Sequence, residues 1–262
     1  MTAEREPVGI TYDRLRLGEV EELLVRRFGW KRVVEVNAGG AKAKPSLYSL
    51  GFGRAGCSVD LAGGDPGAIE DWRALGLGGR VSIVDPDPAS LTGSAGRWDL
   101  AWNFVTASAG GGLSGAIRLL ASLAPWVMTV HENGLHFGRP WHVGLHALMG
   151  IEWTHGRWAD AFPGAVGLAY REAGLSTVDA GFFDAPGWPD PPGPRDIRMH
   201  LAGIAGGEDL VEWEAPIVEI YRSGRVPGVL RLLRAWERIQ PPVVRMLASH
   251  LYFHVGREGG RP

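Results

Sequence analysis

The stretch VVEVNAGGAKAK, Val33–Lys44, decides the fold. It belongs to a short β-branched run, Arg32–Asn37, which reads as a strand and passes at once into a small-residue loop. Pro45 then offers a first helical residue for SLYSLGFG, where its missing N–H does no harm. A strand, a glycine-containing turn and a helix place backbone N–H groups and a helix N-terminus against a ligand. Asp60 follows Gly40 by twenty residues, at the end of a second predicted strand, Cys57–Leu61. A carboxylate there is placed to accept both hydrogen bonds of a ribose diol. Asp85 ends a third predicted strand, Val81–Val84, where it is placed to face an adenine edge.

Outward from that core, residues 11–28 read as an amphipathic helix, with Leu15, Val20, Leu23, Leu24 and Phe28 near helical spacing. Ala68–Leu75 and Leu113–Leu123 read as helices, Trp98–Val105 and Trp126–His131 as strands four and five. Strands alternating with helices mean βαβ units and a largely parallel sheet. After strand five come a helix over Gly164–Ala173, a sixth strand over Leu175–Phe183, a helix over Val229–Ile239 and a last strand over Ala248–Val255. The expectation is one domain over residues 1–262, with the N-terminal helix 11–28 and insertions at about 132–160 and 184–227.

The 262 residues are 45% hydrophobic and 21% charged, a globular balance that excludes a disordered chain. A net charge of −2 gives no support for bulk electrostatic binding to nucleic acid or membrane. A single cysteine excludes a disulfide framework. The N-terminus lacks a secretory signature, and no apolar run is long enough to span a membrane. The default expectation is a cytoplasmic protein. Only three of the 27 basic residues are lysine, and two of them, Lys42 and Lys44, fall in the glycine loop.

On these motifs the chain resembles the class I S-adenosylmethionine-dependent methyltransferases. EVNAGGA (Glu35–Ala41) is similar to the family's E-x-G-x-G-x-G motif, VDLAGG carries its acidic ribose position at Asp60, and WDLAWNFVTAS (Trp98–Ser108) looks like its fourth motif. Asn37 and Ala41 stand where the family prefers glycine; asparagine tolerates the left-handed conformation such a turn needs. The resemblance implies a Rossmann-like α/β fold: a seven-stranded, mostly parallel sheet of order 3-2-1-4-5-7-6 with the last strand antiparallel. Helices would cover both faces and a lid-like insertion would follow strand five. It implies S-adenosylmethionine as cofactor. Glu35 would sit near the methionine amino group, and Asn37, Ala38, Gly39 and Gly40 would line the amino-acid and ribose portion. Asp60 would hold the ribose hydroxyls, with Leu61 packed beside the adenine and Asp85 or Pro86 at its border. Asn103 and Phe104 would offer backbone to the methionine end; Lys42 and Lys44 are read either as solvated charges at the start of a helix or, for one of them, as a partner for its carboxylate.

Five of the eight histidines fall between positions 131 and 155. In this fold that segment follows strand five, at the carboxyl edge where ligands bind. A histidine there suits a general base. By topology His131 and Glu132 are the closest candidates, with His136 and His142 next. His142 and His146 lie four apart on a predicted helix, a spacing that can hold a metal, but no H-E-x-x-H pattern is present and no metal is expected. The competing reading is an aromatic lid in which the histidines pack, cap and hydrogen-bond. Trp141, Trp153 and Trp158 could wall a planar substrate. His250 and His254 share a face of the last strand and read as structural.

An NAD-dependent oxidoreductase would use the same strand, loop and distal acid, but G-x-G-x-x-G is absent. No P-loop and no G-x-S-x-G occurs. A non-catalytic binding or regulatory protein on the same fold is the alternative from a different class. The expectation is methyl transfer to an O, N or S atom of a small molecule, mainly by proximity and orientation. No nucleic-acid or membrane partner is expected, and a homodimer through the Trp-rich insert is one option.

Overall fold

Arg32–Val36 forms β1, and its three central residues are buried. A computed structural model describes residues 4–39, 43–107, 112–150, 157–186 and 213–259. β2 is Ser58–Ala62, β3 Val81–Val84, β4 Leu100–Phe104, β5 Trp126–Glu132, β6 Leu175–Phe183 and β7 Leu251–Glu258. These seven strands pair in the order β3-β2-β1-β4-β5-β7-β6. Pairs among the first five are parallel, and β7 runs antiparallel to both β5 and β6. This is the expected sheet, including the inverted last strand. Glu4–Arg5 adds a short parallel pairing with Trp213–Glu214.

Helix α1, Val8–Phe28, starts three residues before the predicted helix and ends on Gly29, whose φ of 76° closes it. The helix predicted from Pro45 is instead a turn; α2 spans only Leu50–Arg54. Its place is set by Gly51: a Cβ there would lie 2.6 Å from the Gly18 carbonyl oxygen, so only glycine lets α1 and α2 touch backbone to backbone. α3 is Ala68–Ala74, α4 Pro88–Thr92, α5 Leu113–Leu123 and α6 Arg139–Met149. α7 is Pro163–Glu172, α8 Pro216–Ser223, α9 Gly228–Ile239 and α10 Pro242–Ala248.

Both faces of the sheet are covered. One layer packs Tyr12, Leu24, Phe52, Trp72, Ile217 and Leu230 against Val33, Leu61 and Trp102. The other packs Leu113, Ile117, Leu120, Val166 and Tyr170 against Val34, Ala101 and Val127. Trp30, Trp72 and Trp102 are fully buried. At about 25 cal/mol per Å² and roughly 150–250 Å² per ring, each contributes about 4–6 kcal/mol of transfer free energy. No helix among the described residues is long and apolar enough to cross a membrane.

Candidate functional site

The strand order reverses between β1 and β4, and in open α/β sheets ligands bind at the carboxyl ends of the strands at such a switch point. Both strands end in left-handed residues, Asn37 at φ 61° and Val105 at φ 49°. A branched residue with positive φ is an outlier, and such strain clusters at functional sites. Asn103 ties the two ends together, its Nδ2 donating to the Val36 carbonyl at 2.8 Å and to Thr106 Oγ1 at 2.6 Å. Its Oδ1 is buried and accepts nothing from the described residues. Phe104 stacks on Tyr48 with centroids 3.9 Å apart.

The loop after β1 is pinned from below. The Ala38 N–H donates to Ala62 O at 2.9 Å, and the Ser46 N–H to Ala38 O at 3.0 Å. A Cβ on Gly39 would collide with the Gly63 carbonyl oxygen, so this glycine lets the loops after β1 and β2 meet. Gly40, Ala41 and Lys42 lie outside the described residues.

Glu35 is buried under this loop. Trp102 Nε1 donates to Ser49 Oγ at 2.9 Å, and Ser49 Oγ donates to Glu35 Oε2 at 2.5 Å. Burial pushes the Glu35 carboxyl up to about 7, against the pull of Ser49 and Arg14. Arg14, also buried, donates through Nη2 to Glu6 Oε1 at 2.9 Å and to the Lys44 carbonyl at 2.5 Å. Its guanidinium carbon lies 4.0 Å from the centroid of Tyr48. Nε and Nη1 find no hydrogen-bond acceptor. The sequence reading missed Arg14. The available signal was an arginine and a glutamate, Arg14 and Glu21, seven apart on the face of α1 that also buries Thr11, Gly18 and Val25.

Asp60 is a correction. β2 runs on to Ala62, and Asp60 sits opposite Val34, three residues short of the turn at Asn37. At about 3.3 Å per residue that is about 10 Å below the loop. Its carboxylate accepts from Trp98 Nε1 at 2.8 Å, lies 3.2 Å from Arg97 Nη2 and also accepts from Ser82 Oγ. It is committed inside the protein and is not free to hold a ribose diol. Asp65 follows β2 closer to this edge; its N–H donates to Ser46 Oγ at 2.7 Å, and its Oδ1 accepts from the Gly67 N–H at 2.9 Å. Asp60→Ala should cost about 1–3 kcal/mol of stability, because Trp98 and Ser82 lose a buried acceptor. Affinity for S-adenosylhomocysteine should stay within about threefold, under 1 kcal/mol. Denaturant unfolding and calorimetry read the two effects separately, and a loss of affinity without a loss of stability would return Asp60 to the ribose.

Leu61 is likewise no adenine neighbour, being fully buried in the core beneath α2. Asp85 is exposed and caps the turn into α4, accepting from the Asp87 N–H at 3.0 Å and Ser90 Oγ at 2.8 Å, bonds that lower its pKa. Pro86 borders Gly63. Lys44 is paired with Asp71 at 2.5 Å, away from the carboxylate role the resemblance implied.

The histidines divide. His131 points inward with Thr129, its Nε2 2.7 Å from Thr129 Oγ1 and its ring stacked on Tyr252. Burial holds its pKa down to about 3, so it is neutral and a weak base at physiological pH. Glu132 pairs with Arg139 at 2.5 Å. The Gly138 N–H donates to His136 Nδ1 at 3.2 Å, which puts that ring's proton on Nε2 when the ring is neutral. His142 and His146 stack on α6 with their Nε2 atoms 3.0 Å apart, so one donates to the other. Among the described residues no third ligating group joins them. Trp141 is 59% exposed and Trp158 is 40% exposed, while Trp153 and His155 lie outside the described residues. A separate surface groove runs along α1, α8 and α9, lined by Val20, Leu23, Tyr221 and Val226.

No protein-family model matches the sequence, and no curated protein does. Solved structures do match. An O-methyltransferase family protein from Burkholderia thailandensis has a TM-score of 0.52 at 12% identity, covering 94% of this chain and 56% of that one. This chain thus spans little more than half of that protein. A geranyl diphosphate C-methyltransferase from Streptomyces coelicolor A3(2), solved with S-adenosyl-L-homocysteine, has a TM-score of 0.47 at 11% identity over 92% of this chain and 80% of that one. The cyclase SpnF has a TM-score of 0.47 at 15% identity, over 92% and 81%. Sheet order, inverted seventh strand and the first of these likenesses give this chain the fold of the class I S-adenosylmethionine-dependent methyltransferases.

Proposed function

We propose that the chain transfers a methyl group from S-adenosylmethionine to an O, N or S atom of a small-molecule acceptor. A fold alone does not carry an activity. The supporting observation is that Arg14, ion-paired with Glu6, and Glu35 are both buried near one loop at the switch point. Arg14 keeps two N–H-bearing nitrogens without acceptors, and Glu35 is a buried carboxyl held near its ionisation point. Together they suit the carboxylate and ammonium of an amino acid, the methionine end of the cofactor. The backbone of Asn37, Ala38 and Gly39 lines that portion, Asp65 takes the ribose hydroxyls in place of Asp60, and Pro86 borders the adenine. Asn103 Oδ1 accepts from the ligand.

The sulfonium is already activated. Bound here, S-adenosylmethionine would supply a methyl group on sulfonium sulfur, with the thioether as leaving group and the acceptor's proton passing to solvent. The protein supplies proximity and orientation. This suits a site in which His131 is neutral and turned inward. The small-molecule reading rests on the net charge of −2 and the tryptophans around α6.

Calorimetric titration with S-adenosylhomocysteine, with NAD as control, tests the proposal. The expected result is binding of S-adenosylhomocysteine alone with a micromolar constant, about 8 kcal/mol. Gly39→Val, which pushes the loops after β1 and β2 apart, should weaken it at least about tenfold, or 1.4 kcal/mol. No heat at millimolar ligand would overturn the methyltransferase reading in favour of a non-catalytic protein on this fold.

A further inference from the structure

At the same edge of the sheet, beyond β5, a second cluster stands apart from the loop described above. Asp184 directly follows β6, His250 directly precedes the antiparallel β7, and Asp13 lies on α1. One donor atom from each lies within 4.8 Å of the other two. His250 Nδ1 and Asp184 Oδ2 are 3.1 Å apart. Two ligands on a tetrahedral ion with bonds of about 2.0–2.1 Å would be about 3.3 Å apart.

We propose that Asp13, Asp184 and His250 form a binding site for a divalent first-row transition-metal ion, zinc in type. An imidazole with two carboxylates suits a borderline ion such as zinc, whereas calcium and magnesium take all-oxygen sites. Asp184 distinguishes this from a plain ion pair. It is 1% exposed, and only one of its carboxylate oxygens meets His250; the other, Oδ1, is buried without a hydrogen-bond partner among the described residues. An orphan buried acceptor costs about 1–3 kcal/mol, and a metal ion removes that penalty.

The scaffold holds the three groups in place. The His250 N–H donates to Asp184 O at 2.8 Å. Glu237 of α9 accepts from Tyr12 Oη at 2.8 Å and from the Ala185 N–H at 3.2 Å, so it clamps α1 to the residue after Asp184. Gln240 Nε2 donates to Ala185 O at 3.1 Å. The site does not depend on the methyl-transfer reading; a protein that ignores S-adenosylhomocysteine could still bind the ion.

The test is titration of the chelator-treated full chain with zinc chloride, in competition with a chromophoric chelator, followed by metal analysis after gel filtration. The expected result is about one zinc ion per chain. Asp184→Asn and His250→Gln should each weaken binding by more than about tenfold, since loss of a supporting residue alone costs roughly 10–100-fold at a metal site. If Asp184→Asn does not fold, Asp13→Asn on α1 serves in its place with the same expectation. A stoichiometry near zero overturns the proposal. So does binding that survives Asp184→Asn and His250→Gln but is lost in His142→Ala, which would put the ion on the α6 histidine pair.

Discussion

Trp102→Ala should destabilise the protein by about 3–5 kcal/mol, the cost of emptying a large aromatic site in a packed core. The ring is fully buried on β4, with Phe52 at 5.4 Å and Phe104 at 6.5 Å between centroids. Helix α2 and the β1 loop rest over it, so collapse into the void would have to move Ser49, which accepts the Trp102 N–H. For a chain of this size the loss is worth about 6–20 °C in melting temperature. Trp102→Phe keeps most of the volume but deprives Ser49 of its donor; it should cost about 1–3 kcal/mol, toward the hydrogen-bond range. Thermal and urea unfolding of the two variants measures both. Equal losses would mean that the hydrogen bond, not the ring, holds this layer. A loss below 1 kcal/mol in the alanine variant would mean the layer closes over the gap and does not position the loop.

What the sequence made legible follows from which forces act locally. α5 and β6 match their predicted bounds at both ends, because each is a long segment whose apolar pattern is met by one packed face or a full ladder. The glycine loop was legible for a similar reason: Asn37 adopts the left-handed turn its chemistry allows. Asp60 was misplaced because spacing along the chain does not fix register. Cys57, taken as the strand's first residue, lies before it and gives its thiol to the Trp30 carbonyl at 3.3 Å, while the ladder continues to Ala62. That shift sends Asp60 from the loop to Trp98. His131 erred for a simpler reason. Period-two alternation puts it on one face with Thr129, toward Tyr252, and nearness in sequence to the strand end did not decide its direction. Arg14 and Glu21 left only their shared face of α1 as a signal, and Asp13 left none, because α1 meets the sheet edge only through tertiary packing.

Glu35→Gln should raise the stability of the ligand-free protein at pH 8 by about 3 kcal/mol while changing it little near pH 4.5. The carboxyl titrates near 4.5 when exposed and near 7 when folded, because burial penalises its charged form. Between those values the folded chain binds more protons than the unfolded one, so this group's contribution falls as pH rises from about 4.5 to 7 and then levels off. A shift of about 2.5 units at about 1.4 kcal/mol each sets the size. Glutamine keeps an oxygen to accept from Ser49 and never ionises, so the variant lacks that slope. Other groups overlap it. Glu21, buried and raised well above its ordinary value by desolvation and by Glu35, slopes the same way. His131 and His254, buried and lowered to about 3 and about 4, slope the opposite way, adding stability as pH climbs toward 6.5. The difference between variant and parent, followed by urea unfolding from pH 4.5 to 8.5, removes what they share and leaves Glu35 with its coupling to Glu21. A flat difference would mean that Glu35 is already ionised beside Arg14, and the loop would then carry a fixed ion pair. The sloping result has a consequence for binding. An ammonium or sulfonium above Glu35 favours its charged form, so affinity for a cationic ligand should climb through the same pH range in which the unliganded fold is losing stability.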